Sequence, residues 1–173
     1  VIKSLAWLGV GHARLPHWNT DTMTAMKTTI ATSIKYGNYK QYQAATNQII
    51  ATLRSLWKEF NEAFDYRADV TVHIRPIRGG THGRAFDHKN MIEIDPRYPI
   101  KRVVETIAHE LTHSEQYKQN RLSYDAVSQC RVFDGTRFRK PTTHQQYLNL
   151  PWEVEARKRA AEFVARCEQK GLI

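Results

Sequence analysis

Three features of the 173-residue chain predict an α+β fold. Ile50, Leu53, Trp57, Phe60 and Phe64 recur at spacings of three and four, the stripe of an amphipathic helix. Val70, Val72 and Ile74 alternate with Thr71 and His73, the period of a half-buried strand. Two later helical segments each open on a proline, Pro99 and Pro151, a residue suited to a first turn. The reading is one domain over residues 1–173, with a helical N-terminal region (1–64) and a core (65–173) that holds a small antiparallel sheet and two long helices.

The elements follow in order. Asn19-Thr20-Asp21 offers N-cap chemistry for a first helix that stops near Tyr36-Gly37-Asn38, where Gly and Asn suit a helix end. A longer helix spans about Tyr39 to Phe64. The strand around Val70–Ile74 ends at Pro76, and 78–83 is a glycine-rich loop. Arg84–Phe86 and Met91–Ile94 read as two more strands around a turn at Asp87-His88-Lys89-Asn90. A helix then runs from about Pro99 to Gln119, with Val103, Val104, Ile107, Ala108 and Leu111 on its apolar side. Ser128–Asp134 reads as a strand closed by a turn at Gly135, and Arg137–Pro141 as an exposed basic segment. The last helix runs from Pro151 to about Lys170, with Gly171 as its stop.

Composition narrows the function classes. The hydrophobic fraction of 41% with 25% charged residues is ordinary globular composition, and a chain of this length buries a core without a disulfide framework. No apolar run reaches the length of a membrane span. Leu5–Val10 is short and weakly flanked for a signal-peptide core. Two cysteines, Cys130 and Cys167, read as reduced thiols, which fits a reducing compartment such as cytoplasm, or a virion-associated protein. The net charge of +9 suits an anionic partner such as nucleic acid. Arg137-Phe138-Arg139-Lys140 and Arg157-Lys158-Arg159 are the clusters able to touch phosphates. The excess is spread along the chain, however, and no dedicated basic arm stands out.

The chemistry concentrates in His109-Glu110-Leu111-Thr112-His113, an HExxH pattern on the helix that starts at Pro99. Residues four apart on a helix share a face, so both imidazoles can hold one zinc ion. Glu110, beside the first ligand, is placed to act as general base toward a zinc-activated water. A catalytic zinc needs a third protein ligand and an open position. Glu153 and Glu155, early in the last helix, are the candidates. They point about 200° apart around the axis, so one of them faces the metal. His82 and His88 sit in polar turns, His73 lies on the polar face of a strand, and His12 and His17 lie in the N-terminal segment.

The pair of motifs, His109-Glu110-Leu111-Thr112-His113 and Glu153-Val154-Glu155-Ala156, resembles the gluzincin metallopeptidases. In thermolysin-like members the downstream helix carries a ligand Glu, a small residue three later and an Asp four later. The resemblance implies Glu153 as third ligand and Ala156 as the small residue, with Glu155 the alternative ligand. The Asp position holds Arg157, so the group that would steady a ligand His from behind is missing. The match covers about Val70 to Phe163 and is closer to the minimal, single-domain zincins of phage, toxin and regulatory settings.

The resemblance further implies a zincin-like fold, a zinc cofactor and a peptide or protein substrate laid along an edge strand. Met91–Ile94 and Gly83–Phe86 are the candidates for that strand. It also implies an oxyanion donor, for which Tyr147, His144, Tyr124 and Arg137 are available. The expected function is zinc-dependent peptide hydrolysis at a shallow, open site, with dependence on a larger assembly. The alternative is a non-catalytic, metal-stabilised structural or binding protein such as a phage particle component.

Overall fold

Hydrophobic patterning and proline-marked helix starts produce seven strands and five helices among the described residues. The computed structural model describes residues 30–31, 39–64, 70–86 and 91–173. They form β1 (Ile30–Ala31), α1 (Tyr39–Ser55), α2 (Trp57–Ala63), β2 (Thr71–Ile74), β3 (Gly83–Phe86), β4 (Met91–Ile94), α3 (Ile100–Lys118), β5 (Leu122–Asp125), β6 (Cys130–Phe133), β7 (Thr136–Phe138), α4 (His144–Leu148) and α5 (Pro151–Gln169). The architecture is α+β. No helix among these residues is long and apolar enough to cross a membrane.

The single helix expected over 39–64 is divided at Leu56, whose ψ of 0° departs from the helical value. The ladder still continues through it, because the Leu56 amide donates to Thr52 and the Phe60 amide donates to Leu56. The buried stripe is Ile49, Leu53, Leu56, Phe60 and Phe64. Ile50 and Trp57 flank it, partly buried. The first helix expected near 19–38 lies outside the described residues except at Ile30–Ala31, which form a strand and not a helix. Their backbone pairs in parallel with Val72–His73.

The sheet differs from the expected antiparallel one. It is mixed, in the order β1-β2-β4-β3, with β2 and β4 parallel and β3 and β4 antiparallel. The chain leaves β2, passes beyond the far side of β4's position to make β3, and turns back into β4. Alternation fixes which side chains face inward but carries no information on strand order or direction. Met91–Ile94 is therefore interior to the sheet, and Gly83–Phe86 is its edge.

Helix α3 packs on this sheet and along α5. Val103, Val104, Ile107 and Leu111 meet Val70, Val72, Ile74, Ile92 and Ile94 in one core, which also takes Phe163 and Val164 of α5. Phe163 stacks on Phe60 with ring centroids 4.3 Å apart, tying the N-terminal helices to α5. Ala108, Ala156 and Ala160 are fully buried, small residues that permit close approach of α3 and α5.

A second, antiparallel sheet has the order β5-β6-β7. Only β6 is anticipated by the sequence pattern. Its turn into β7 is Asp134-Gly135, both with positive φ (47° and 79°), the conformation of a tight hairpin that Gly adopts without penalty. Thus Arg137 and Phe138, from the start of the expected exposed basic segment, belong to a strand. The short helix α4 is capped by Thr143, which accepts from the Gln146 amide.

Candidate metal centre

Helix α3 presents His109 and His113 one turn apart on the face toward α5. Their Nε2 atoms lie 3.1 Å apart. Glu153, in the first turn of α5, places one oxygen 3.4 Å from His109 Nε2 and the other 3.4 Å from His113 Nε2. Ligands about 2.0–2.1 Å from a tetrahedral zinc are about 3.3–3.4 Å from one another. The two 3.4 Å distances run to different Glu153 oxygens; taking one ligand atom from each residue, the three atoms lie within 4.8 Å of one another, and two imidazoles with a carboxylate are a donor set that suits zinc. Among the described residues no fourth His, Cys, Asp or Glu joins the cluster.

The site's electrostatics follow from this packing. Burial alone would raise the Glu153 pKa, but hydrogen bonds from His109 and His113 outweigh it and hold the carboxyl well below its ordinary range. Burial likewise opposes the charged form of His113, yet its hydrogen bond to Glu153 and the charge of Glu110 raise its pKa. Glu155 is directed elsewhere. Both its oxygens accept from Arg121 at 2.9 Å, and Arg121 also pairs with Asp134.

Glu110 is buried beneath the edge strand β3. Its carboxyl pKa is raised by desolvation, against the pull of His113 and His109, and it accepts a hydrogen bond from the Ala85 backbone. Strand β3 comes this close because residue 83 is glycine. A Cβ there would stand 2.6 Å from Thr106 Cγ2 and 3.2 Å from Glu110 Cγ.

The residue that steadies His113 is one that the motif does not contain. His113 Nδ1 donates to Gln116 Oε1 at 2.9 Å, and Gln116 Nε2 donates to the Trp152 carbonyl at 3.3 Å. Gln116 is 1% exposed. Its spacing of three from His113 on a helix is the signal that could have found it. Arg157, at the position where thermolysin-like proteins have Asp, donates to the Leu148 carbonyl and so fastens α4 to α5.

Tyr147 of α4 is 40% exposed, but its hydroxyl faces Glu153, and desolvation there with the Glu153 charge raises the pKa of its phenol. It borders two cavities that flank the cluster. One, of about 460 Å³, includes His109, Glu110, His144 and Arg157 in its wall. The other, of about 620 Å³, includes His113, Glu153 and Tyr124. Of the other expected oxyanion donors, Arg137 is 71% exposed and pairs with Asp125, away from both cavities.

The remaining histidines do not join the cluster. His82, expected in solvent, is half-buried with its ring edge-on to Tyr98 at 4.0 Å. His73 sits opposite Glu93 in the sheet. His12, His17 and His88 lie outside the described residues. Two arginines of the expected phosphate-binding clusters are engaged internally: Arg157 as above, and Arg159 with Glu115, the Ala63 carbonyl and the Phe64 ring. Cys130 and Cys167 are free thiols, the second buried.

Comparison of the chain with protein-family models, with curated proteins and with solved structures finds no match.

Proposed function

We propose that this protein is a zinc-dependent metallopeptidase of minimal zincin type. The observation that carries the reading is the Glu153 carboxylate, brought by a separate helix to 3.4 Å from the Nε2 atoms of both His109 and His113. His109, His113 and Glu153 would hold the ion, which supplies Lewis-acid activation of water and of a substrate carbonyl.

The chain's own residues account for the rest. Glu110 takes the proton from the attacking water and passes it to the departing amine. Tyr147 donates a hydrogen bond from its phenol, which keeps its proton, to the carbonyl oxygen as that oxygen gains charge. The edge of β3, which pairs with no further strand among the described residues, lies beside Glu110 and receives an extended peptide through the backbone groups that Glu110 leaves unoccupied. Among the described residues no fourth His, Cys, Asp or Glu joins the three, and a base carboxylate stands beside them; both favour catalysis over a purely structural zinc site.

The test is hydrolysis of a denatured protein substrate by the zinc-loaded chain. Glu110→Gln is expected to abolish hydrolysis with zinc retained, and His109→Ala/His113→Ala to lose the metal. Zinc binding without any Glu110-dependent hydrolysis refutes the peptidase and leaves the non-catalytic, metal-stabilised protein in its place.

A further inference from the structure

The cavity of about 620 Å³ beside His113 and Glu153 carries two cations without acidic partners among the described residues. Arg131 reaches it from β6 and Lys140 from the segment after β7. Several other arginines are neutralised by carboxylates: Arg84 by Glu93, Arg97 by Asp95, Arg121 by Asp134 and Glu155, and Arg159 by Glu115; Arg157, in the wall of the other cavity, is engaged by the Leu148 carbonyl. Arg131 is different. Its Nη1 donates to the Tyr117 hydroxyl at 3.0 Å, and its guanidinium lies 5.9 Å and 5.8 Å from the ring centres of Tyr117 and Tyr124. No carboxylate of the described residues pairs with it or with Lys140. The one carboxylate in the cavity wall, Glu153, is already engaged by the two histidines.

A half-buried guanidinium held by aromatic rings keeps a fork of donors free for a planar anion. Its field is concentrated because the site is concave and part of its wall, Leu150 and Trp152, is apolar. We infer that this cavity seats a carboxylate of the substrate, so that the protein selects peptides with an acidic group beside the bond to be cut. The word substrate rests on the peptidase reading above, whereas recognition of a carboxylate at this cavity does not.

The experiment is a binding titration on the full zinc-loaded chain carrying Glu110→Gln. The probes are fluorescently labelled, end-blocked alanine hexapeptides with one Glu at each position in turn, and their Gln twins. A free-acid and amide pair tests a terminal carboxylate. At one position the acidic probe is expected to bind about tenfold more tightly than its neutral twin, with the difference shrinking as salt rises. Arg131→Gln and Lys140→Gln should each erode that preference while zinc content stays at one per chain. Lys140 is exposed, so its replacement reads the charge even if loss of the Arg131–Tyr117 bond disturbs folding.

A twin pair that discriminates, whether side-chain or terminal, supports the inference and names the source of the carboxylate. Equal affinity within every pair, no binding by any probe, or a preference that survives both substitutions overturns it. If the unsubstituted, zinc-loaded chain cuts none of these peptides but the acidic preference is present and lost in the variants, the peptidase reading fails and the carboxylate site stands.

Discussion

The Gln116 carboxamide holds His113 in one orientation. Its nitrogen faces the Trp152 carbonyl, which can only accept, so its oxygen must face His113 Nδ1, and that nitrogen carries the hydrogen. Nε2, which faces Glu153, is thereby the nitrogen at which a metal ion would take the place of a proton. The same carboxamide fixes α3 against the turn that delivers Glu153, so it positions His113 and Glu153 together. Gln116→Leu keeps most of the volume and removes both bonds. Zinc affinity, read by competition with a chromophoric chelator, should fall about 10- to 100-fold. Unchanged affinity would reduce Gln116 to a packing role.

Tyr147 is expected to act on the transition state. Tyr147→Phe should lower kcat about 100-fold with KM little changed and zinc content intact. The hydroxyl also hydrogen-bonds Glu153, and the metal measurement separates the two roles: loss of zinc would place the hydroxyl's action at the ligand.

Glu153 and Glu155 should separate cleanly by substitution. Glu155 is bound bidentately by Arg121, at a site where both side chains are about a third exposed or less. Glu155→Gln should leave zinc stoichiometry at one and cost about 1 kcal/mol of folding stability, a value kept small by solvent screening. Glu153→Gln should abolish tight zinc binding. Equilibrium dialysis and denaturant unfolding of the two variants check both outcomes.

Acid should loosen the loop that follows β2. Asp95, fully buried, accepts from the Ile77 amide at 2.9 Å, from the Arg97 amide at 3.0 Å and from the Arg97 guanidinium. Burial by itself would raise its pKa, but Arg97 and the two amides prevail and lower it. A depressed folded-state pKa contributes stability above the unfolded value near 3.9, and that stability is lost as pH falls toward the folded value. Asp95→Asn should cost about 2 kcal/mol near neutral pH, since Arg97 is partly exposed and can recover water. It should also flatten the acid limb of a stability–pH curve measured by urea unfolding.

Local periodicity makes several features legible in the amino-acid sequence. His109 and His113 share a helix face because four residues make about one turn; Pro151 opens the first turn of α5, where its ring fits, while Pro99 stands one residue before α3, as its N-cap, with an extended ψ of 148°. The core residues of α3, Val103 through Leu111, follow from the same spacing. These are relations between near neighbours in the chain, where backbone geometry alone decides.

Pairings between distant segments are not legible in this way. Alternation at Val70–Ile74 cannot say that β2 runs parallel to β4, nor that Gly83–Phe86 forms the edge beside Glu110. The buried stripe of α1 and α2 centres on Ile49 and Leu56, one residue from Ile50 and Trp57, because the core lies to that side of the helix. Glu153 and Glu155 are equivalent as helix-start carboxylates. Only the rotation of α5 against α3, set by Ala108, Ala156 and Ala160 in the core, turns one toward the histidines and the other toward Arg121. The sequence by itself determined the chemistry available on each helix face. Which faces meet is decided by tertiary packing, because burial of apolar surface depends on every element at once.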